Sequence, residues 1–132
     1  MKAVSQSATG ILNILTNGLN EKVSHRKINN AEPAFMPVTV EYLYSTVNGD
    51  FFSVCHYYEL NGDLMRDPEI VFIRIKNLYF PASFQQDNMG LYTEFFSYDD
   101  SGKITGIRVK SQADCAQFCN IWMNNIKEQQ RL

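Results

Sequence analysis

The apolar positions of this chain change period twice. Near the N-terminus, Ile11, Leu12, Leu15 and Leu19 recur at the i, i+1, i+4, i+8 spacing of one helical face, which predicts a helix over 7–19. Ser7 is the expected N-cap, Ser5 its rival, and Gly18 sits near the end. Residues 20–34 are polar, hold two adjacent asparagines and a proline, and read as a connector. The period then drops to two. Val38, Val40, Tyr42 and Tyr44 share one side of a strand, and Thr39, Glu41, Leu43 and Ser45 the other. Asn48-Gly49 follows, the residue pair that suits a type I′ hairpin turn.

The next strand is expected from Phe51 to Leu60. Three more are predicted in "EIVFIRI", "LYTEFFSY" and "ITGIRV", the last two joined by the turn "DDSGK". "NLYFPASFQQ" is extended too, with Pro81 indicating an edge or a bulge. A helical period returns at the C-terminus. Cys115, Phe118, Cys119, Trp122 and Ile126 form one stripe, and Ser111 with Asp114 resembles a capping box. Together these elements predict an α+β fold: an antiparallel meander of about five to six strands, with the C-terminal helix packed on it and the N-terminal helix beside it. One domain spans 1–132, helix plus polar connector over 1–34 and, over 35–132, the core that carries the resemblance given below.

Composition narrows the function. The formal net charge is -2, lacking the basic excess of a dedicated nucleic-acid binder. No apolar run reaches the roughly 18 residues of a membrane span. The first twenty residues lack the sustained apolar core of a secretion signal, and three cysteines are an odd count, so a cytoplasmic protein with reduced thiols is expected. A small basic patch, Lys22, Arg26 and Lys27, surrounds His25; with Lys110 it is the candidate contact for phosphate if nucleic acid is bound.

Candidate chemistry concentrates in "HYYELNGDLMRDPEIVF", residues 56–72. His56 shares a strand face with Phe52, Val54, Tyr58 and Leu60. That placement suits a partly buried core histidine; beside Asp63, Asp67 or Glu69 it would also suit a proton carrier or metal ligand. Asn61-Gly62-Asp63 and Asp67-Pro68 carry turn chemistry of their own. The oxygen ligands lack the spacing of an EF-hand loop. Cys115 and Cys119 lie four apart on a helix and could reach one ion. Cys55 and His56 point to opposite faces of a strand, however, so the thiols read as core. Walker A, Rossmann, nucleophile-elbow and zincin patterns are absent from the sequence. The candidate surface is therefore His56, Tyr58, Asn61, Asp63, Arg66, Asp67 and Glu69. No cofactor is expected, a protein partner is favoured over nucleic acid, and a divalent-metal enzyme using His56, Asp63, Asp67 and Glu69 is the alternative.

Three segments carry a resemblance. "FMPVTVEYL" (35–43), the 56–72 stretch and "FCNIWMNNIKEQQ" (118–130), with "YFPASFQQD" (79–87) as a weaker block, resemble a family of small bacterial domains of unknown function. That family is met mainly on plasmids, phages and integrative elements, often near genes for DNA handling, antirestriction or conjugation. The central block matches in His-Tyr, Asn-Gly-Asp-Leu and Asp-Pro-Glu; Leu60 and Ile70 stand where the family usually has glutamine and methionine. The resemblance implies a cytoplasmic mobile-element accessory protein and supplies no reaction and no catalytic residue.

Overall fold

In the computed structural model, which describes residues 1–31 and 33–132, helix α1 runs Gln6–Thr16. Ser5 is its N-cap, not Ser7: Ser5 Oγ accepts the Ala8 N–H at 3.1 Å. Ala8, Ile11, Leu12 and Leu15 are buried on one face, following the apolar spacing. The other end is capped from outside. Arg26 donates to the carbonyls of Leu15, at 2.9 Å, and of Asn17, setting a cation at the negative end of the helix.

Arg26 belongs to a strand, β1 (His25–Ile28), inside the stretch that reads as connector. Only Ile28 of its four residues is aliphatic, so no alternating pattern announces it. It forms because β2 (Val38–Ser45) offers an open edge, with His25 opposite Glu41 and Ile28 opposite Val38. β3 (Asp50–Leu60), β4 (Asp63–Ile75), β5 (Leu78–Gln86) and β6 (Leu91–Glu94) follow. The six strands form one antiparallel meander in sequence order, so the fold is α+β as predicted.

Local turn chemistry departs from expectation at one hairpin and matches it at the next. Between β2 and β3, Thr46 and Gly49 exchange two backbone hydrogen bonds, 2.9 and 3.2 Å, so the turn centres on Val47-Asn48. Asn48 stays out of the left-handed region. Gly49 is needed for space, because a Cβ there would collide with the Arg74 carbonyl. Between β3 and β4, Asn61 (φ 53°) and Gly62 (φ 85°) are both left-handed, as a type I′ turn requires. At Pro81, β5 is paired by β4 alone, since β6 pairing stops at Ser83↔Glu94, and the register jump from Val71↔Ser83 to Phe72↔Pro81 leaves Ala82 in a bulge.

"LYTEFFSY" is broken at Phe95. The chain leaves β6 there and enters a separate hairpin, β7 (Phe96–Tyr98) with β8 (Ile104–Ile107). Helix α2 then runs Val109–Gln130. Its N-cap is Arg108 and no side chain caps it. The Ser111–Asp114 box is not formed, since Ser111 lies within the helix and Asp114 pairs with Lys110 at 3.6 Å.

Both helices cover one sheet face. Leu12 and Leu15 of α1 and Cys119, Trp122, Met123 and Ile126 of α2 pack with Val38, Val40, Phe52, Val54, Ile70 and Phe72. A second cluster fills part of the opposite face, where Phe96, Ile104 and Ile107 of the β7–β8 hairpin meet Phe51, Ile73, Phe80 and Ala82. Below, these are the helix face and the hairpin face.

Two fully buried glutamines mark the ends of α2. Gln112 Oε1 accepts the Lys2 N–H at 2.7 Å, and its Nε2 donates to the Lys2 carbonyl at 2.8 Å. Gln130 Oε1 accepts the Asn30 N–H at 2.8 Å, and its Nε2 donates to the Met36 carbonyl at 3.1 Å. One amide fastens the N-terminal segment and the other fastens the approach to β2. Replacing Gln112 by Leu strands both Lys2 groups and is expected to lower stability by about 1–3 kcal/mol in urea unfolding. Gln117→Leu, on the exposed side of α2, is expected to stay within about 0.5 kcal/mol of wild type.

Candidate functional site

Strand alternation divides the 56–72 stretch between the two faces. His56 falls on the helix face. It is 6% exposed, lies edge-on to Trp122 with ring centroids 5.6 Å apart, and places Nδ1 3.0 Å from the Pro37 carbonyl. A carbonyl only accepts, so Nδ1 carries the proton and Nε2 is the ring nitrogen left over. Burial holds the imidazole pKa below its ordinary value, opposed by the Pro37 carbonyl and the Asp67 charge. His56 lines a cavity of about 350 Å³ with Phe35, Asp67, Pro68, Trp122 and Asn125. Asp67 precedes a cis proline and accepts from Gln86 Nε2 at 2.8 Å. A neutral histidine here can accept a hydrogen bond. No cysteine lines this cavity, so it supplies no thiol nucleophile.

The hairpin face takes Arg66 and Glu69. Glu69 stands opposite Cys55 and accepts from Ser53 Oγ at 2.7 Å. Arg66 gives both its backbone N–H and its Nε to Asp87 Oδ2, at 2.9 and 3.0 Å, and lies 3.9 Å from Glu69. These Arg66 bonds hold the Asp87 carboxyl below the usual range. They also tie the β3–β4 hairpin to the 3₁₀ turn after β5 (Asp87–Met89). Asn61 and Asp63 are exposed at the hairpin tip.

His56 and Asp67 therefore share a cavity, Glu69 lies on the other face, and Asp63 projects at the turn. Among the described residues no three His, Cys, Asp or Glu side chains gather closely enough to hold a metal ion. Cys55, Cys115 and Cys119 are free and buried. Burial, then Glu69, pushes the Cys55 thiol up to about 12; burial, then Cys115, raises Cys119. Both stay protonated and poorly nucleophilic at neutral pH. The basic residues are dispersed. Arg26 is committed to the end of α1, Lys110 pairs with Asp114 on α2, and Lys22 is exposed before β1.

Lys27 lies on the face of β1 opposite to Arg26 and opens into a second cleft. That cleft is about 560 Å³ and is lined by Lys27, Thr39, Tyr57, Tyr58, Glu59 and Leu64. It exists because β2 pairing stops at Val38↔His56, while β3 continues to Leu60 with β4 as its partner on the other side. The outer edge of Tyr57–Leu60 thus has no strand beside it among the described residues. Leu60 and Leu64 are 47% and 65% exposed there. Sequence reasoning found Tyr58, singled out Lys27 only as a candidate phosphate contact, and missed Thr39, Tyr57, Glu59 and Leu64. The available signal was the unequal length of β2 and β3 beside one another.

A profile of the family described as Domain of unknown function (DUF6908) matches residues 9–132. No curated protein and no solved structure gives a significant match. No helix among the described residues is long and apolar enough to cross a membrane.

The lowered His56 pKa makes a signed prediction. The unfolded chain takes up the imidazole proton near pH 6.5, before the folded protein does. Stability from this group is therefore full above that pH and is lost as pH falls from there through the folded value. In melting curves between pH 7.5 and about 5, His56→Gln is expected to flatten the decline relative to wild type. An unchanged slope would refute the assignment.

Proposed function

The chain belongs to the family Domain of unknown function (DUF6908), and from that premise we propose that it is a non-enzymatic protein-interaction module. The observation that carries this reading is the open outer edge of β3 over Tyr57–Leu60, bordered by the 560 Å³ cleft and by exposed Leu60 and Leu64. Backbone donors and acceptors along an unpaired edge recruit an extended segment, and alternate side-chain pockets select its sequence. The occupant proposed is an extended stretch of a partner polypeptide lying antiparallel to β3, continuing the line of β2. Tyr57 and Tyr58 would cover its apolar positions, while Lys27 and Glu59 would sit at its polar ones.

The setting proposed is a mobile genetic element, with the partner drawn from a host defence or DNA-handling system. Support for that setting is the resemblance of 35–43, 56–72 and 118–130 alone. The site separates His56 from Glu69 and scatters the basic residues, so neither the metal-enzyme nor the nucleic-acid reading is carried further.

The test is a tagged pull-down from native bacterial lysate, with and without nuclease, read by mass spectrometry. A single nuclease-resistant protein at stoichiometric yield is expected, and Leu60→Asp with Leu64→Asp is expected to lose it at unchanged melting temperature. Recovery only through nucleic acid, or equal capture by the double variant, would overturn the reading.

A further inference from the structure

The hairpin face holds a second cavity, far from the β3 edge in chemistry. It measures about 110 Å³ and is walled by Tyr44, Tyr92, Tyr98 and Phe51, with Glu94 at its side and Val71 in its floor. Its walls come from strands distant in the sheet order: Tyr44 from β2, Tyr92 and Glu94 from β6. Tyr98 arrives on β7, which folds across this face. Two ring contacts join three of the four aromatics. Tyr44 stacks on Phe51 at 4.8 Å, and Phe51 meets Tyr98 edge-on at 6.4 Å. The Tyr98 hydroxyl pKa is pushed up to about 12 by burial, then by the nearby Tyr44, Glu94 and Tyr92.

The charge of this cavity is one-sided. Glu94 forms no ion pair among the described residues, and no lysine or arginine lines the walls. The adjoining open part of the face adds Glu41 and Glu69 near Tyr57, with two cations, Arg66 beside Glu69 and Lys27 farther out on β1. Aromatic faces are negative at their centres, and rings grouped around a carboxylate attract an organic cation. The volume equals roughly three to four waters at about 30 Å³ each, which suits one ammonium or guanidinium head group.

We infer that Tyr44, Tyr92, Tyr98 and Glu94 form a cation cage that takes a lysine or arginine side chain of a partner polypeptide. A polypeptide is the source because the cage opens onto a face bearing further carboxylates, which would meet neighbouring basic residues of the same segment. This site is independent of the β3 edge, so either can fail alone.

The experiment is an NMR titration of protein with labelled tyrosine rings at constant ionic strength. The probes are blocked Gly-Arg-Gly, Gly-Lys-Gly and Gly-Gln-Gly tripeptides, and tetramethylammonium chloride. Saturable shifts of the Tyr44, Tyr92 and Tyr98 rings are expected with the arginine and lysine peptides and not with the glutamine peptide. Glu94→Gln and Tyr92→Leu, both at exposed positions, are each expected to weaken binding roughly three- to fivefold. Glu128→Gln on α2 is expected to leave it unchanged. An equal response to the glutamine peptide, or binding that survives both cage variants, would overturn the inference. So would saturation by tetramethylammonium alone, which would make the ligand a small free ion.

Discussion

The fold depends on the two ends of α2 being held by backbone rather than by other side chains. Gln112 and Gln130 are fully buried, and each uses its carboxamide as a substitute peptide group: Gln112 against Lys2, Gln130 against Asn30 and Met36. A buried amide without partners is costly, so these contacts are close to obligatory. Their effect is to place the segments that flank α1 and β2. With Lys2 fixed, the Val4 N–H reaches the Tyr79 carbonyl at 3.0 Å and Ser5 is set to cap α1. With Asn30 and Met36 fixed, Pro37 presents its carbonyl to His56 and β2 enters the sheet in register. The apolar stripe between the two glutamines then has one place to lie.

Sheet irregularities distribute function around that frame. The register shifts after Tyr42, Cys55 and Val71 fall where strands change the direction of their side chains. The shift after Cys55 leaves Asp67 and Pro68 beside His56 instead of continuing the ladder. The shift after Tyr42 directs Tyr44 toward Phe51. An unbroken meander of this length would carry neither the His56 cavity nor the tyrosine cavity. Tyr79 couples the frame to α1, since its buried hydroxyl meets Thr16 Oγ1 at 3.0 Å and Asn13 Oδ1 at 2.8 Å.

Much of the architecture was legible because it rests on local pattern. The alternation at Val38, Val40 and Tyr42, the Asn61-Gly62 turn and the stripe Cys115, Cys119, Trp122, Ile126 all act within a few residues; Phe118, read as part of that stripe, is instead exposed. β1 was not legible, because His25-Arg26-Lys27-Ile28 has no apolar face and is recruited by β2. Ser111 and Asp114 mimicked a cap, but the backbone enters α2 three residues earlier. The glutamines offered a signal that polarity concealed: 112, 115, 119, 122, 126 and 130 continue one stripe at spacings of three and four. For the candidate site, the strand position of His56 was readable and its partners were not, since the Pro37 carbonyl is 19 residues away and Trp122 is on another element. Tyr44, Tyr92 and Tyr98 converge from three strands, which no spacing rule encodes.

Phe95 has a consequence for how such a chain can change over time. Its N–H donates to the Ala82 carbonyl at 2.9 Å, and its own carbonyl accepts the Arg108 N–H at 2.8 Å. The excursion from 96 to 107 thus departs from and returns to one residue, so its ends are already closed. Lengthening a loop whose ends are pinned costs only about 0.6 kcal/mol per doubling. Length change over 99–103 is therefore cheap in chain entropy and leaves β6 and α2 joined; what it would give up is the grip of Asn48, which donates to the Gly102 carbonyl at 2.6 Å and accepts the Ile104 N–H at 3.2 Å.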